Sequence, residues 1–141
     1  MSRKVYRAIL IDPEKRSIET IVSACTHEAV RELIGADALD HFRIADHGSS
    51  WDYGWIDDGG LSRGMPVTAF KFGIRRDPLA GRCVLVGVDK ESGDTIDAKF
   101  QIEILRANIE WLGVILPEVT WDETERVNRA IVTYSKVRGL N

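Results

Sequence analysis

Residues 82–89, Arg82-Cys83-Val84-Leu85-Val86-Gly87-Val88-Asp89, form a nearly continuous apolar run. A strand buried on both faces reads this way, because neither face has to meet water. The run is therefore predicted to be the central strand of a sheet. Turn-forming residues bound it: Asp77-Pro78-Leu79-Ala80-Gly81 before it, and Lys90-Glu91-Ser92-Gly93-Asp94 after it. Further out, residues 66–75 read as one neighbouring strand. Residues 95–100 read as another, with Ile96, Ala98 and Phe100 in alternation.

The N-terminal part supplies a hairpin. Residues 4–12 are rich in β-branched and aromatic side chains and stop at Asp12-Pro13, and residues 17–24 alternate Ile18, Thr20 and Val22. Residues 27–34 follow as a helix. Thr26 serves as N-cap, Ala29, Val30, Leu33 and Ile34 make one apolar face, and Gly35 is the stop. Residues 41–45 read as a strand and Asp46–Ser50 as a loop. In residues 51–56 the large aromatics Trp51, Tyr53 and Trp55 alternate, which puts all three on one sheet face. Asp57-Asp58-Gly59-Gly60 reads as a hairpin turn, since glycine supplies the positive φ such turns need.

Toward the C-terminus the spacing predicts two helices. Ile102, Leu105, Ile109 and Leu112 give helical periodicity over residues 101–112, with Gly113 as the stop. Thr120-Trp121-Asp122-Glu123 has the form of a capping box, and Val127, Ala130, Ile131, Tyr134 and Val137 make a stripe along residues 121–138. Acids at the start and Lys136 and Arg138 at the end suit a helix dipole. These elements together predict an α+β fold, a largely antiparallel sheet packed by two or three helices, in a single domain over residues 1–141.

A chain of 141 residues with 44% hydrophobic side chains has enough apolar material to build a core. The 19 basic and 22 acidic residues leave a net charge of −3. That argues against a dedicated nucleic-acid binder, which carries a basic excess. Cys25 and Cys83 are too few for a disulfide framework and read as buried thiols. No apolar stretch is long enough to cross a membrane, and the first residues lack a signal-peptide pattern, so a cytoplasmic protein is expected.

Motifs for known chemistry are sparse. Gly59-Gly60-Leu61-Ser62-Arg63-Gly64 fits neither a P-loop nor a dinucleotide fingerprint. His41 and His47 lie near Asp37, Asp40, Asp46 and Asp52, but acids this dense in loops act mainly as turn and cap formers. No metal, cofactor or catalytic residue is predicted. Two groups stand out as binding candidates. The first is the row Trp51, Tyr53 and Trp55, because Trp and Tyr concentrate at interaction hot spots. The second is Arg75, Arg76 and Arg82, with Lys71, flanking the Asp77–Gly81 loop, because guanidinium groups hold phosphates or carboxylates.

The opening Ala8-Ile9-Leu10-Ile11-Asp12-Pro13, with Ile18–Ile21 after the turn, resembles the start of a family of short bacterial, plasmid and phage proteins catalogued as a domain of unknown function. The counterparts of that family's short helix, aromatic strand, acidic-glycine hairpin and following step are Ala29–Ile34, Tyr53–Ile56, Asp57–Gly60 and Gly64-Met65-Pro66. Leu79–Gly87 resembles its returning strand, and Met65 stands where a leucine is more usual. The resemblance covers residues 5–112 and leaves the C-terminal segment outside. It implies an accessory role, modulating a host or defence component, and carries over no catalytic residue.

The leading expectation is a non-enzymatic protein that binds another protein through the hairpin Trp51–Met65. The second is a binder of a small anionic, nucleotide-like ligand, using the aromatics for stacking and the arginines for phosphate. The third is a hydrolase built from loop acids and a histidine.

Overall fold

The computed structural model describes residues 4–73, 75–122 and 129–139. In chain order it runs β1 (Tyr6–Asp12), β2 (Ser17–Ser23), α1 (His27–Ile34), β3 (Leu39–Asp46), β4 (Ser50–Asp57), β5 (Val67–Phe72), β6 (Leu79–Ala80), β7 (Cys83–Asp89), β8 (Thr95–Ile96), α2 (Ile102–Asn108), β9 (Ile109–Asp122) and β10 (Arg129–Lys136). Strands take 53% of the described residues and helices 12%. The α+β expectation is thus overturned: a second sheet stands where packing helices were expected.

Both sheets are antiparallel. Sheet A has the order β2-β1-β7-β4-β3, with β8 also pairing β7. The apolar run of residues 82–89 does form its centre. Ile9, Leu10 and Ile11 face Leu85, Val84 and Cys83 on one side of β7, and residues 50–55 face it on the other. Sheet B has the order β10-β9-β5-β6.

Ile9, Ile11, Cys83 and Leu85 from sheet A meet Phe70, Phe72 and Leu79 from sheet B in one core, which Ala98 and Leu105 help close. Each such side chain contributes about 1.5–3 kcal/mol on burial. Burial pushes the Cys83 thiol well above its ordinary pKa, which keeps it neutral and inert. Cys25, expected to be buried, is only partly covered, and its φ is 53°.

α1 lies on the outer face of sheet A, where Val30 packs on Ala8 and Val84. Its ends are as the sequence predicts. Thr26 Oγ1 accepts from the Ala29 amide at 3.1 Å, and Gly35 closes the helix at φ 76°, its N–H donating to the Arg31 carbonyl.

The C-terminal elements differ from the expectation. α2 stops at Asn108, and Ile109 already opens β9. Where a helix over residues 121–138 was expected, the described residues are strand: Trp121 and Asp122 end β9, and Arg129–Lys136 form β10. Residues 129–136 of β10 pair with Asp122–Ile115 of β9 in unbroken register, and Thr120 is a strand residue opposite Ile131. Glu123 and Val127, part of the expected cap and stripe, lie outside the described residues. The physical reason is local. Ile131, Val132, Thr133 and Tyr134 are consecutive β-branched and aromatic residues, stiff at χ1 and suited to a pleated surface. Pro117 sits inside β9 beyond Ile115, where pairing with β5 has ended and a strand neighbour remains on one side only.

The Asp57–Gly60 turn forms, with the Gly60 amide donating to the Asp57 carbonyl at 3.3 Å. It does not join a hairpin, however, because β4 belongs to sheet A and β5 to sheet B. Residues 58–66 carry the chain from one sheet to the other.

Candidate interaction face

β4 alternates as the sequence requires, and its odd-numbered side chains form a row on the outer face of sheet A. Trp51 lies between Asp46 and Val88, Tyr53 between Arg43 and Val86, and Trp55 between His41 and Val84. All three aromatics are half-buried. The row is not uniform along its length. At one end α1 and its neighbours roof Trp55, which packs with the cluster of Ala8, Val30 and Val84. His27 meets Trp55 edge-on at 6.1 Å between ring centroids. In the middle, the His41 ring lies 5.1 Å from Trp55 and 5.7 Å from Tyr53.

At the other end two cations cover Trp51. The Arg43 guanidinium carbon is 4.1 Å from the ring centroid and Lys90 Nζ is 4.0 Å from it. Each such contact contributes about 0.5–1 kcal/mol where water has access. Lys90 Nζ also lies 2.7 Å from Asp46 Oδ1. Lys90, together with the Gly48 amide, holds the Asp46 carboxyl below its usual range. The face therefore combines flat aromatic area with two cations, of which Arg43 makes no ion pair with any carboxylate among the described residues.

Sequence reasoning found the aromatics and missed His41, Arg43 and Lys90 as their companions. The signal was available for two of them. With Asp46–Ser50 as the loop, β3 folds back on β4 and alternation sets His41 and Arg43 on the face that holds Tyr53 and Trp55. Lys90 arrives from the turn after β7, and no local pattern announces it.

The arginines do not converge. The Arg75 guanidinium stacks 4.4 Å over the Phe42 ring, Arg76 is exposed beside Asp77 at 3.6 Å, and Lys71 stands opposite Glu110 in sheet B. Arg82 Nε lies 3.3 Å from Asp12 Oδ2, and its Nη1 donates to the Leu33 carbonyl at 3.1 Å. Arg82 does line a cleft of about 400 Å³ between the sheets, with Asp12, Asp57, Arg63 and Thr68. There too the charges are paired: Arg63 clamps Asp57 with contacts of 2.6 and 2.9 Å, and depresses the Asp57 pKa. Each guanidinium in the cleft already has a carboxylate, so neither is left over for an incoming anion.

His47 and Asp52 take structural places. His47 Nε2 is 3.2 Å from Asp52 Oδ2, without the alignment of a hydrogen bond. Asp52 is fully buried and accepts from the Lys99 and Phe100 amides at 3.1 and 2.8 Å. Its carboxylate thus ties the segment after β8 to β4. Among the described residues, no group of three or more His, Cys, Asp or Glu side chains is placed to hold a metal ion. No helix among them is long and apolar enough to cross a membrane. No family model, curated protein or solved structure matches the chain.

Proposed function

We propose that this chain is a protein-binding module whose outer sheet-A face docks an acidic segment of its partner. The observation that carries the reading is the arrangement at Trp51, where Arg43 and Lys90 lie over a half-buried indole at the open end of an aromatic row. Tyr53 and His41 continue the surface toward α1. A carboxylate arriving here finds Arg43, and an apolar or aromatic neighbour on the partner finds ring surface to cover. Aromatic and arginine side chains side by side are the composition of interaction hot spots. The accessory role implied by the family resemblance would be exercised through this face.

The test is selection of a displayed peptide library on the wild-type protein, with counter-selection on Arg43→Glu. Acid-rich sequences are expected to be enriched and to bind Arg43→Glu about tenfold or more weakly, a loss of ~1.4 kcal/mol or more. Trp51→Ala is expected to weaken the same peptides while leaving the fold intact. Enrichment without acidic character, or binders indifferent to both substitutions, would overturn the proposal.

A further inference from the structure

We infer that the outer edge of β10 accepts an extended segment of a partner protein as an added antiparallel strand, acidic at the incoming segment's N-terminal end. β10 is the last strand of sheet B, and its eight residues pair with β9 and with no other strand among those described. Such an edge is a template of open backbone donors and acceptors, and proteins normally blunt it. The edge strands β3, β2 and β6 are each blunted. β3 carries a bulge between Arg43 and Ala45, β2 bears Glu19 and has α2 beside it, and β6 is two residues long. β10 has no bulge, no proline and no charge between its two end residues.

Three further observations favour an occupant. First, pairing between β5 and β9 ends at Ile115, so β9 and β10 run on as a two-stranded ribbon. Three of the seven exposed large hydrophobics among the described residues, Leu116, Trp121 and Tyr134, lie on that ribbon. Second, a concavity of about 430 Å³ lies over the cross-strand partners Leu116–Glu118 of β9 and Thr133–Ser135 of β10, closed by Gly64. A long side chain of a strand added at β10 can reach across β10 into it, and alternate positions of such a strand give specificity.

Third, the charge is one-sided. Residues 130–139 contain Lys136 and Arg138, both exposed, and no acidic residue, in a chain whose net charge is −3. An antiparallel strand places its N-terminus beside these two cations. Glu118, opposite Thr133, is the one carboxylate among the residues lining the concavity, which sets the acidic positions at the end of the incoming strand and not at its middle. A second copy fits less well. Two-fold pairing of β10 about Val132 and Thr133 brings Lys136 of one copy opposite Arg129 of the other, like charge against like.

The experiment titrates the synthetic peptide EEVTVTV, and KKVTVTV as its charge-reversed control, into the isotope-labelled full chain. EEVTVTV is expected to shift the backbone amides of residues 130–136 and slow their hydrogen exchange. The surface double variant Lys136→Glu/Arg138→Glu is expected to bind EEVTVTV about tenfold more weakly and to prefer KKVTVTV. Arg43→Glu should change neither result, which separates this edge from the aromatic face. The inference is overturned if neither peptide perturbs β10, if the two bind alike, or if the shifts map to another surface. It is equally overturned if β10 is protected without peptide in a concentration-dependent way, because the edge then belongs to a second copy.

Discussion

On β4, adjacent residues obey opposite rules. Asp52 and Gly54 turn inward and are buried, while Trp51, Tyr53 and Trp55 turn outward and keep part of their surface in water. Apolar-inside patterning would reverse this. The inner positions are small or acidic because other parts of the chain press close there. A Cβ on Gly54 would overlap Cζ and Cε1 of Phe42, so the glycine is the space in which that ring sits. Asp52 faces the segment after β8 and supplies the acceptors that its amides lack. Among the described residues no second sheet covers the outer face, and large rings with cationic neighbours fill that space. The strand is thus specified from inside by clearance and hydrogen bonding, and from outside by area.

That difference can be broken most severely at Asp52. Asp52→Ala leaves the part-buried Lys99 and Phe100 amides without their acceptor, at about 1–3 kcal/mol for each group kept from water. A loss near ~3 kcal/mol in urea unfolding is expected, with Asp52→Asn milder because one oxygen remains. A loss below ~1 kcal/mol for the alanine variant would show that the carboxylate does not hold the segment. Gly54→Ala comes next. Overpacking against Phe42 should cost about 1–3 kcal/mol, and Phe42→Leu in the same chain should recover much of it. Additive losses in that double-mutant cycle would refute the contact. The smallest effects belong to the outer row and should be graded along it. Trp55→Ala, under α1, should lose about 2 kcal/mol of stability, a partial version of a core truncation. Trp51→Ala should lose about 1 kcal/mol, the low end for two exposed cation–π contacts. Equal losses at the two tryptophans would mean that the row is uniformly structural.

Much of sheet A was legible in the sequence. The apolar run at Cys83–Asp89, the alternation in β1 and β2, and the Thr26 cap with Gly35 at the end of α1 are local signals that the tertiary structure leaves intact. The aromatic row was legible for the same reason, since a period of two fixes the face. Sheet B was misread where two periods overlap. Ile102 and Leu105 sit in α2 while Ile109 and Leu112 sit in β9, so one helical spacing spanned two elements. Ala130, Ile131 and Tyr134 satisfy a helical stripe, yet β-branched Ile131, Val132 and Thr133 in succession favour a strand. A threonine followed three residues later by a glutamate looks like a helix cap whatever the chain does next. The arginines illustrate a separate limit. Closeness in sequence around Asp77–Gly81 did not bring Arg75, Arg76 and Arg82 together, because Asp12, on β1, takes Arg82 to the far cleft.

β7 also sets a timetable. The strand at the middle of sheet A is the fifth of its strands to be made, after β1 and β2 and after β3 and β4. Each of those pairs closes over a short loop. Uniting them requires β7 to enter between β1 and β4, with Leu85 reaching back to Ile9 on one side and to Gly54 on the other. Contacts of such sequence separation slow folding toward the millisecond-to-second range typical of β-rich domains. On a ribosome, the first eighty residues hold two hairpins with no strand of sheet A yet between them, and the sheet becomes continuous only when the apolar run has emerged.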